Sequence, residues 1–160
     1  TMTESSEPEE LIFLIKKIGL NLSARLELSL KSKDLTGVQV YFLVYLLRHH
    51  PEGTYLTELS HETGISKATL SALVKKMKVK NYLYFHENPH DIRKKKILPT
   101  KKLLTEGNGF LREAGQMEAQ ILSVLDQQEK IQLRNLERKL IRQLSDMEQN
   151  EKNRQEVYLQ

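Results

Sequence analysis

The segment LTELSHETGISKATLSALVKKM, residues 56–77, restricts the possible folds of this chain more than any other part. Thr57 is expected to cap a short helix, Gly64 to turn the chain, and Ser66 to cap a second helix. One side of that second helix would be apolar, since it carries Leu70, Leu73, Val74 and Met77. Two short helices joined by a glycine turn predict a helix-turn-helix.

The opposite side of the second helix would be its outward surface. It carries small and cationic residues: Ser66, Lys67, Ala68, Thr69, Ser71, Ala72, Lys75 and Lys76. Short side chains let a helix approach base edges closely, and hydroxyl and ammonium groups can bind phosphates. This surface is the one that a DNA major groove would meet.

A β-hairpin is predicted directly after these helices. Residues 82–86 are rich in aromatic side chains and predict a strand, and residues 94–98 predict its partner. The intervening residues 87–93 contain Asn88 and Pro89 and are expected to form the tip. The hairpin would form a wing beside the helix-turn-helix, with His90, Asp91, Arg93, Lys94 and Lys95 as its DNA-binding residues.

Positive charge is concentrated in the same region. Residues 66–102 contain eleven Lys and Arg against two acids, a formal charge of +9, whereas the rest of the chain carries −5. A basic block on an otherwise acidic protein suits a polyanion, because neutralised phosphates release condensed counterions. A lysine-rich face that merely contacts solvent is the alternative explanation.

The remaining residues predict long helices on either side of this module. Ser6 with Glu9, Thr36 with Gln39, and Asp126 with Glu129 have capping-box spacing. Long helices are expected over residues 9–33 and 101–150, with a mostly apolar, buried segment over 38–47 between them. The last helix has a seam of coiled-coil type, formed by Leu133, Leu136, Leu140, Leu144 and Met147.

These apolar stripes exceed what a compact winged module needs, so we expect the end helices to form a homodimer. Packing of the stripes on each other within one chain is the alternative. The predicted fold is mainly α with a small β-hairpin: a single domain over residues 1–160 in which a winged helix-turn-helix over 36–100 lies between dimerisation helices.

Several function classes have no support in the sequence. The chain has no cysteine and no apolar run of the ~20 residues that span a bilayer. We also expect no amino-terminal targeting signal. It also lacks a glycine-rich phosphate loop and a nucleophile elbow. We therefore expect a cytoplasmic protein that is not an enzyme and needs no cofactor.

The order of elements, the helix-turn-helix segment and the wing sequence DIRKKKILPT together resemble the MarR family of bacterial transcriptional regulators. The resemblance implies a dimer that binds a palindromic operator on double-stranded DNA. The recognition helices would enter successive major grooves, and Arg93 of each wing, held by Asp91, would reach the minor groove. By the same analogy, the protein would be a ligand-responsive repressor.

The chain departs from the family pattern at four positions. Ala72, Asn81 and Phe85 stand where many members have arginine, glycine and arginine, and Pro99 replaces a leucine. Without an arginine at position 72, bidentate readout of guanine is in doubt, and specificity would rest on Lys67, Thr69, thymine methyl contacts and DNA shape.

Three further alternatives concern ligands and partners. The aromatic residues Phe13, Tyr41, Phe42 and Tyr45 could line a pocket for a small aromatic effector, as the resemblance suggests, or could simply belong to the core. The histidines are expected to hold no metal, although zinc at His86 and His90, or at His49, His50 or His61 with carboxylates, stays open. Finally, the cationic wing could bind an acidic protein partner, which would make the chain an adaptor without sequence-specific DNA binding.

Overall fold

The fold is known from a computed structural model that describes residues 7–30 and 33–159, with the backbone alone for residues 91–93. The described residues form six helices and one two-stranded sheet. The elements are α1 (Glu7–Ser29), α2 (Gly37–His49), α3 (Leu56–Thr63), α4 (Lys67–Val79), β1 (Leu83–Asn88), β2 (Asp91–Pro99), α5 (Lys101–Leu122) and α6 (Gln127–Leu159). The predicted fold class, mainly α with a small hairpin, is confirmed.

The chain divides into two compact units, residues 1–117 and 118–160. The first unit contains α1 to α4, the hairpin and most of α5, and its core is built from the apolar sides of these elements. Its fully buried side chains include Leu26, Val40, Leu43, Leu59, Leu70, Met77, Leu103 and Phe110. The prediction that residues 38–47 are largely buried is confirmed, with Val38 as an exposed exception.

Helix α1 packs on α2 through a backbone contact. A Cβ atom at Gly37 would lie 1.8 Å from the Ser23 carbonyl oxygen, so only glycine permits this approach. The Gly37 N–H also donates to Glu27 Oε2 at 3.2 Å. The capping box predicted at the start of α2 is present, since Thr36 and Gln39 exchange side-chain to backbone hydrogen bonds of 3.1 Å.

The predicted cap of α3 was wrong. The N-cap of α3 is Tyr55, without a side-chain hydrogen bond, and Thr57 lies inside the helix. The preceding residue explains the shift: Thr54 is buried, donates its hydroxyl to Glu58 Oε2, and exchanges two backbone hydrogen bonds with Ile97 of β2. This pairing with the wing fixes where α3 begins.

The second unit, residues 118–160, consists mainly of α6. Asp126 and Glu129 form the predicted capping box, with hydrogen bonds of 3.0 and 2.8 Å. The helix continues to Leu159, past the predicted end at residue 150. None of its residues is buried within this chain.

Near the amino terminus, α1 stops at Ser29 rather than at the predicted residue 33. The capping box predicted at Ser6 lies outside the described residues.

Candidate nucleic-acid interface

The turn between α3 and α4 fixes the direction in which α4 leaves the core. Gly64 adopts φ +76°, a left-handed conformation that glycine takes without steric cost, and its N–H donates to the Ser60 carbonyl. The Ser60 hydroxyl in turn donates to the Ile65 carbonyl at 2.8 Å. The turn is therefore closed by hydrogen bonds on both sides of Gly64.

Ser66 is the N-cap of α4, as predicted. Its Oγ atom accepts a hydrogen bond from the Thr69 N–H at 3.2 Å, and its hydroxyl donates to Thr69 Oγ1 at 2.9 Å. Because Thr69 Oγ1 acts as an acceptor in this pair, its own hydroxyl hydrogen can point outward as a donor. The first turn of α4 thus presents the Thr69 hydroxyl, whose oxygen is held by Ser66.

The two sides of α4 separate as the sequence predicted. Leu70, Leu73, Val74 and Met77 are buried. Exposed positions include Lys67, Ala68, Thr69, Ala72, Lys75 and Lys76, whereas Ser71 is half-buried at the edge of this surface. The exposed side thus carries three lysines, Lys67, Lys75 and Lys76, and the two methyl groups of Ala68 and Ala72.

The wing is an antiparallel hairpin in which Phe85 pairs with Ile97 and Glu87 with Lys95. A register shift lies between Glu87 and Asn88. The predicted seven-residue tip was too long. Strand β1 extends to Asn88 and β2 begins at Asp91, because backbone pairing of the two strands continues as far as Asn88 and Asp91.

The predicted wing residues occupy the outer part of this hairpin. His90 lies exposed at the tip, where its N–H donates to Asn88 Oδ1 at 2.9 Å, and Lys94 and Lys95 are exposed along β2. Asp91 and Arg93 are strand residues whose side chains lie outside the described part of the structure. Their predicted pairing and the minor-groove role of Arg93 stay predictions.

Some basic residues of the 66–102 block are engaged in the fold. The Lys80 ammonium donates to the Asp34 carbonyl, and the Lys102 ammonium donates to the Lys80 carbonyl and lies 4.3 Å from the Tyr82 ring centroid. Two others, Lys78 and Lys95, lie over Phe85. Sequence reasoning did not select Lys78, although its place one helical turn after Lys75 was a signal for it.

The aromatic residues predicted to bind an effector have different environments. Phe42 is only 5% exposed and belongs to the core, whereas Phe13 on α1 is 60% exposed. Tyr41 and Tyr45 are half-buried and pack against the core. Tyr45 donates its hydroxyl to Glu62 Oε2 at 2.7 Å, and its pKa is raised to about 12, first by burial and then by this carboxylate. The effector site stays a prediction.

One of the two histidines at the end of α2 contacts an acid. His50 Nε2 lies 2.7 Å from Glu62 Oε2, and the Tyr45 ring lies 4.5 Å from that of His49. Within residues 7–30 and 33–159, no group of three or more His, Asp or Glu could hold a metal ion. The helices in these same ranges also include none with the length and apolar content of a membrane span.

Comparison with known proteins agrees with this geometry. The MarR family model matches residues 33–94, which contain α2, α3, α4 and most of the hairpin. The transcription regulator MarR from Oenococcus oeni PSU-1 is 27% identical, with a TM-score of 0.71 over 82% of this chain and 98% of that chain. The resemblance to the MarR family is confirmed.

Two further MarR-like folds come from solved structures of lower identity. MepR of S. aureus in complex with DNA is 22% identical, with a TM-score of 0.75 over 89% of this chain and 99% of MepR. BpsR of Bordetella bronchiseptica, whose DNA binding is regulated by 6-hydroxynicotinic acid, is 20% identical, with a TM-score of 0.71 over 88% and 97%. No curated protein sequence matches the chain.

Proposed function

We propose that this protein is a transcriptional regulator that binds double-stranded DNA sequence-specifically, as a homodimer on a palindromic operator. The observation that carries the proposal is the separation of the two sides of α4. One side buries Leu70, Leu73, Val74 and Met77, and the other presents cations and small residues beside a cationic hairpin. A helix held in this way by its apolar side can enter a major groove without losing its packing.

On this proposal, the residues of α4 and of the wing have different tasks. Lys67, Thr69, Ala68 and Ser71 would contact base edges and nearby phosphates, while Lys75, Lys76, Lys94 and Lys95 would bind phosphates. Arg93 would enter the minor groove and would be held there by Asp91. His90, at the tip of the wing, would contact the DNA next to Arg93. A guanidinium suits a narrow minor groove because negative potential is concentrated there.

Uncovered apolar surface supports a homodimer. Helix α1 exposes Leu11, Ile12, Phe13, Ile15 and Ile18, and α6 exposes Leu136, Leu140, Leu144 and Met147. Monomeric proteins in water seldom leave continuous apolar stripes of this length exposed. A second copy of the chain would cover them and would place two recognition helices for a site with twofold symmetry.

A ligand-responsive repressor is the form of regulation that we propose. Ligand control of the similarly folded BpsR supports an effector, and Phe13, Tyr41, Phe42 and Tyr45 are the candidate residues. A ligand that changes the spacing of two recognition helices, which must span one helical turn of about 34 to 36 Å, weakens DNA binding without touching DNA.

The test is selection of bound fragments from the source genome, followed by titration of the selected duplex and a random duplex at several salt concentrations. We expect the selected duplex to compete better than random DNA and its affinity to fall steeply with salt. Arg93→Ala should weaken binding to the selected duplex while the protein stays folded and dimeric.

The matched control for that variant is Arg154→Ala, which removes an exposed arginine of α6. It should bind the selected duplex as the wild type does. If no duplex competes better than random DNA, the proposal is rejected and the adaptor function, in which the wing binds an acidic protein, takes its place. If Arg93→Ala binds with unchanged affinity, the wing assignment alone is rejected.

A further inference from the structure

Two lysines from different elements lie against one aromatic ring. The ammonium group of Lys78, in the last turn of α4, is 4.9 Å from the centroid of the Phe85 ring. The ammonium group of Lys95, on β2, is 5.7 Å from the same centroid. Both distances are within the range of about 6 Å over which a cation is attracted to a ring face. Phe85 therefore joins the end of the recognition helix to the wing.

The register of the hairpin explains why Lys95, and neither of its neighbours, makes this contact. Phe85 pairs with Ile97, whose side chain is buried, so this face of the hairpin is the inner one. Alternation along β2 places Lys95 on the inner face with Ile97, and Lys94 and Lys96 on the opposite face. The inner face meets α4, which brings Lys78 to the ring.

We propose that Phe85 is a positioning residue that holds Lys78 and Lys95 as a pair of cations for a backbone phosphate of duplex DNA. The proposal deepens the proposed function and rests on it. It adds Lys78 to the DNA-binding residues and gives a role to a phenylalanine that stands where many family members have arginine. Here the ring supplies no charge itself and instead orients two charges from its neighbours.

The pairing favours an anion for electrostatic reasons. Two ammonium groups that share one ring are no farther apart than the sum of their distances to its centroid, so their positive potentials add at this part of the surface. A backbone phosphate bound near both groups is attracted by each of them. Restricting two flexible lysine stems before binding also lowers the side-chain entropy that is lost when the phosphate arrives.

A carboxylate already lies next to one of the cations. Glu87 Oε1 is 3.9 Å from the Lys95 ammonium, and Glu87 pairs with Lys95 across the hairpin. In the free protein this acid partly neutralises the pair, and in a complex it would repel the incoming phosphate. Glu87→Gln should therefore tighten DNA binding, which is the opposite sign to the loss of either lysine.

The decisive experiment is a mutant cycle measured on a random-sequence duplex, since phosphate contacts carry no sequence information. Phe85→Leu keeps an apolar side chain and removes the ring face, while Phe85→Tyr keeps the ring. We expect Phe85→Leu to weaken binding by about three- to tenfold and Phe85→Tyr to stay within about twofold of the wild type. In a Lys78→Met, Lys95→Met background, Phe85→Leu should have almost no further effect.

The last comparison separates positioning from structural support. If Phe85→Leu weakens binding equally with and without the two lysines, the ring only supports the fold and the proposal is overturned. Thermal melting of each variant checks folding. In the free protein, NMR should show ring-current shifts at the terminal methylenes of Lys78 and Lys95 that disappear in Phe85→Leu, and their absence in the wild type would also overturn it.

These results are distinguishable from failure of the proposed function. If selection yields no duplex that outcompetes random DNA, sequence-specific regulation fails, yet the cycle on random DNA still decides the role of Phe85. If the wild-type protein binds no duplex at all, both proposals are overturned. Lys67→Met, which removes an exposed lysine at the other end of α4, is the control background. In this background, Phe85→Leu should weaken DNA binding by the same factor as it does in the wild type.

Discussion

The Nε2 atom of His50 lies 2.7 Å from Glu62 Oε2, so the end of α2 is fastened to the end of α3. The Tyr45 hydroxyl donates to the same oxygen at 2.7 Å. These contacts hold the pKa of Glu62 below its usual range, first through the hydrogen bond from His50 and then through that from Tyr45. The carboxylate of Glu62 thus attaches α3, the first helix of the helix-turn-helix, to α2.

Glu62→Gln should change how stability depends on pH. Because the folded-state pKa of Glu62 is lowered, its contribution is complete above its ordinary pKa of 4.5 and is lost as the pH falls through the lowered value. We expect Glu62→Gln to lower the free energy of unfolding by about 1 kcal/mol at neutral pH. Below pH 4.5, urea denaturation should show a shallower decline for the variant than for the wild type.

Glu52→Gln is the control, because Glu52 is an exposed acid in the turn after α2. It should retain the pH dependence of the wild type. Parallel curves for the wild type and Glu62→Gln across the acidic range would contradict this account of Glu62.

Tyr45→Phe should remove a tyrosine that ionises unusually late. The pKa of Tyr45 is raised to about 12, so the stability from this group is complete below its ordinary value of 10.0 and is lost as the pH rises towards 12. Tyrosinate absorbance titration of the wild type should show this late step, and the variant should lack it. Tyr82, whose pKa burial and a hydrogen bond to Glu106 also raise, is present in both proteins as an internal reference.

Gly37→Ala should destabilise the contact between α1 and α2. The added Cβ atom would lie 1.8 Å from the Ser23 carbonyl oxygen, a backbone atom that cannot move without shifting α1. We expect a loss of about 1 to 3 kcal/mol in the free energy of unfolding, measured by urea denaturation. Gly19→Ala is the matched control: apart from the adjoining backbone of α1 and the two neighbouring residues, no atom lies within 4 Å of its Cβ position, so alanine should stabilise α1. Equal effects of the two variants would refute the close approach.

Asn81 should accept glycine and resist alanine. It follows Lys80, the C-cap of α4, and its φ of +66° lies in the left-handed region. The sequence comparison with the MarR pattern expects glycine at this position. Asn81→Gly should leave the melting temperature nearly unchanged, whereas Asn81→Ala should cost about 1 kcal/mol. A lower melting temperature for the glycine variant than for the alanine variant would exclude this explanation.

Leu140→Glu combined with Leu144→Glu should yield a monomer with weak operator binding. The two leucines are exposed on the seam of α6, and in a dimer each would be desolvated against the second copy, where a carboxylate is costly. Sedimentation equilibrium measures the change in mass. Ser145→Glu, which places one charge on the other side of the same helix, should stay dimeric. A wild-type protein that sediments as a monomer would reject the dimer itself.

The sequence predicted the structure best where both partners of a contact are close along the chain. The boxes at Thr36 and Asp126, the Ser66 cap and the apolar side of α4 depend on spacings of three or four residues, and all four are confirmed. The cap at Thr57 was wrong because Thr54 pairs with Ile97, a contact across 43 positions that no local pattern reveals.

In the candidate site, too, local contacts could be predicted from the sequence and contacts between separate elements could not. The exposed side of α4 could be predicted from helical periodicity. The ring of Phe85 between Lys78 and Lys95, and the carboxylate of Glu62 against His50, could not, because each depends on how separate elements pack. The short tip of the wing belongs to this second group, since strand pairing overrides the low β propensity of Asn88 and Asp91.

The alternation of lysines along β2 also limits how this hairpin can change during evolution. Replacing one cation by another leaves the two faces as they are. Deleting Lys96 while Ile97 keeps its buried place would instead exchange them, turning Lys94 towards Phe85 and moving Lys95 outward. Exchanges between lysine and arginine at positions 94–96 should therefore be common in the wings of orthologous proteins, while length changes in this strand should come in steps of two.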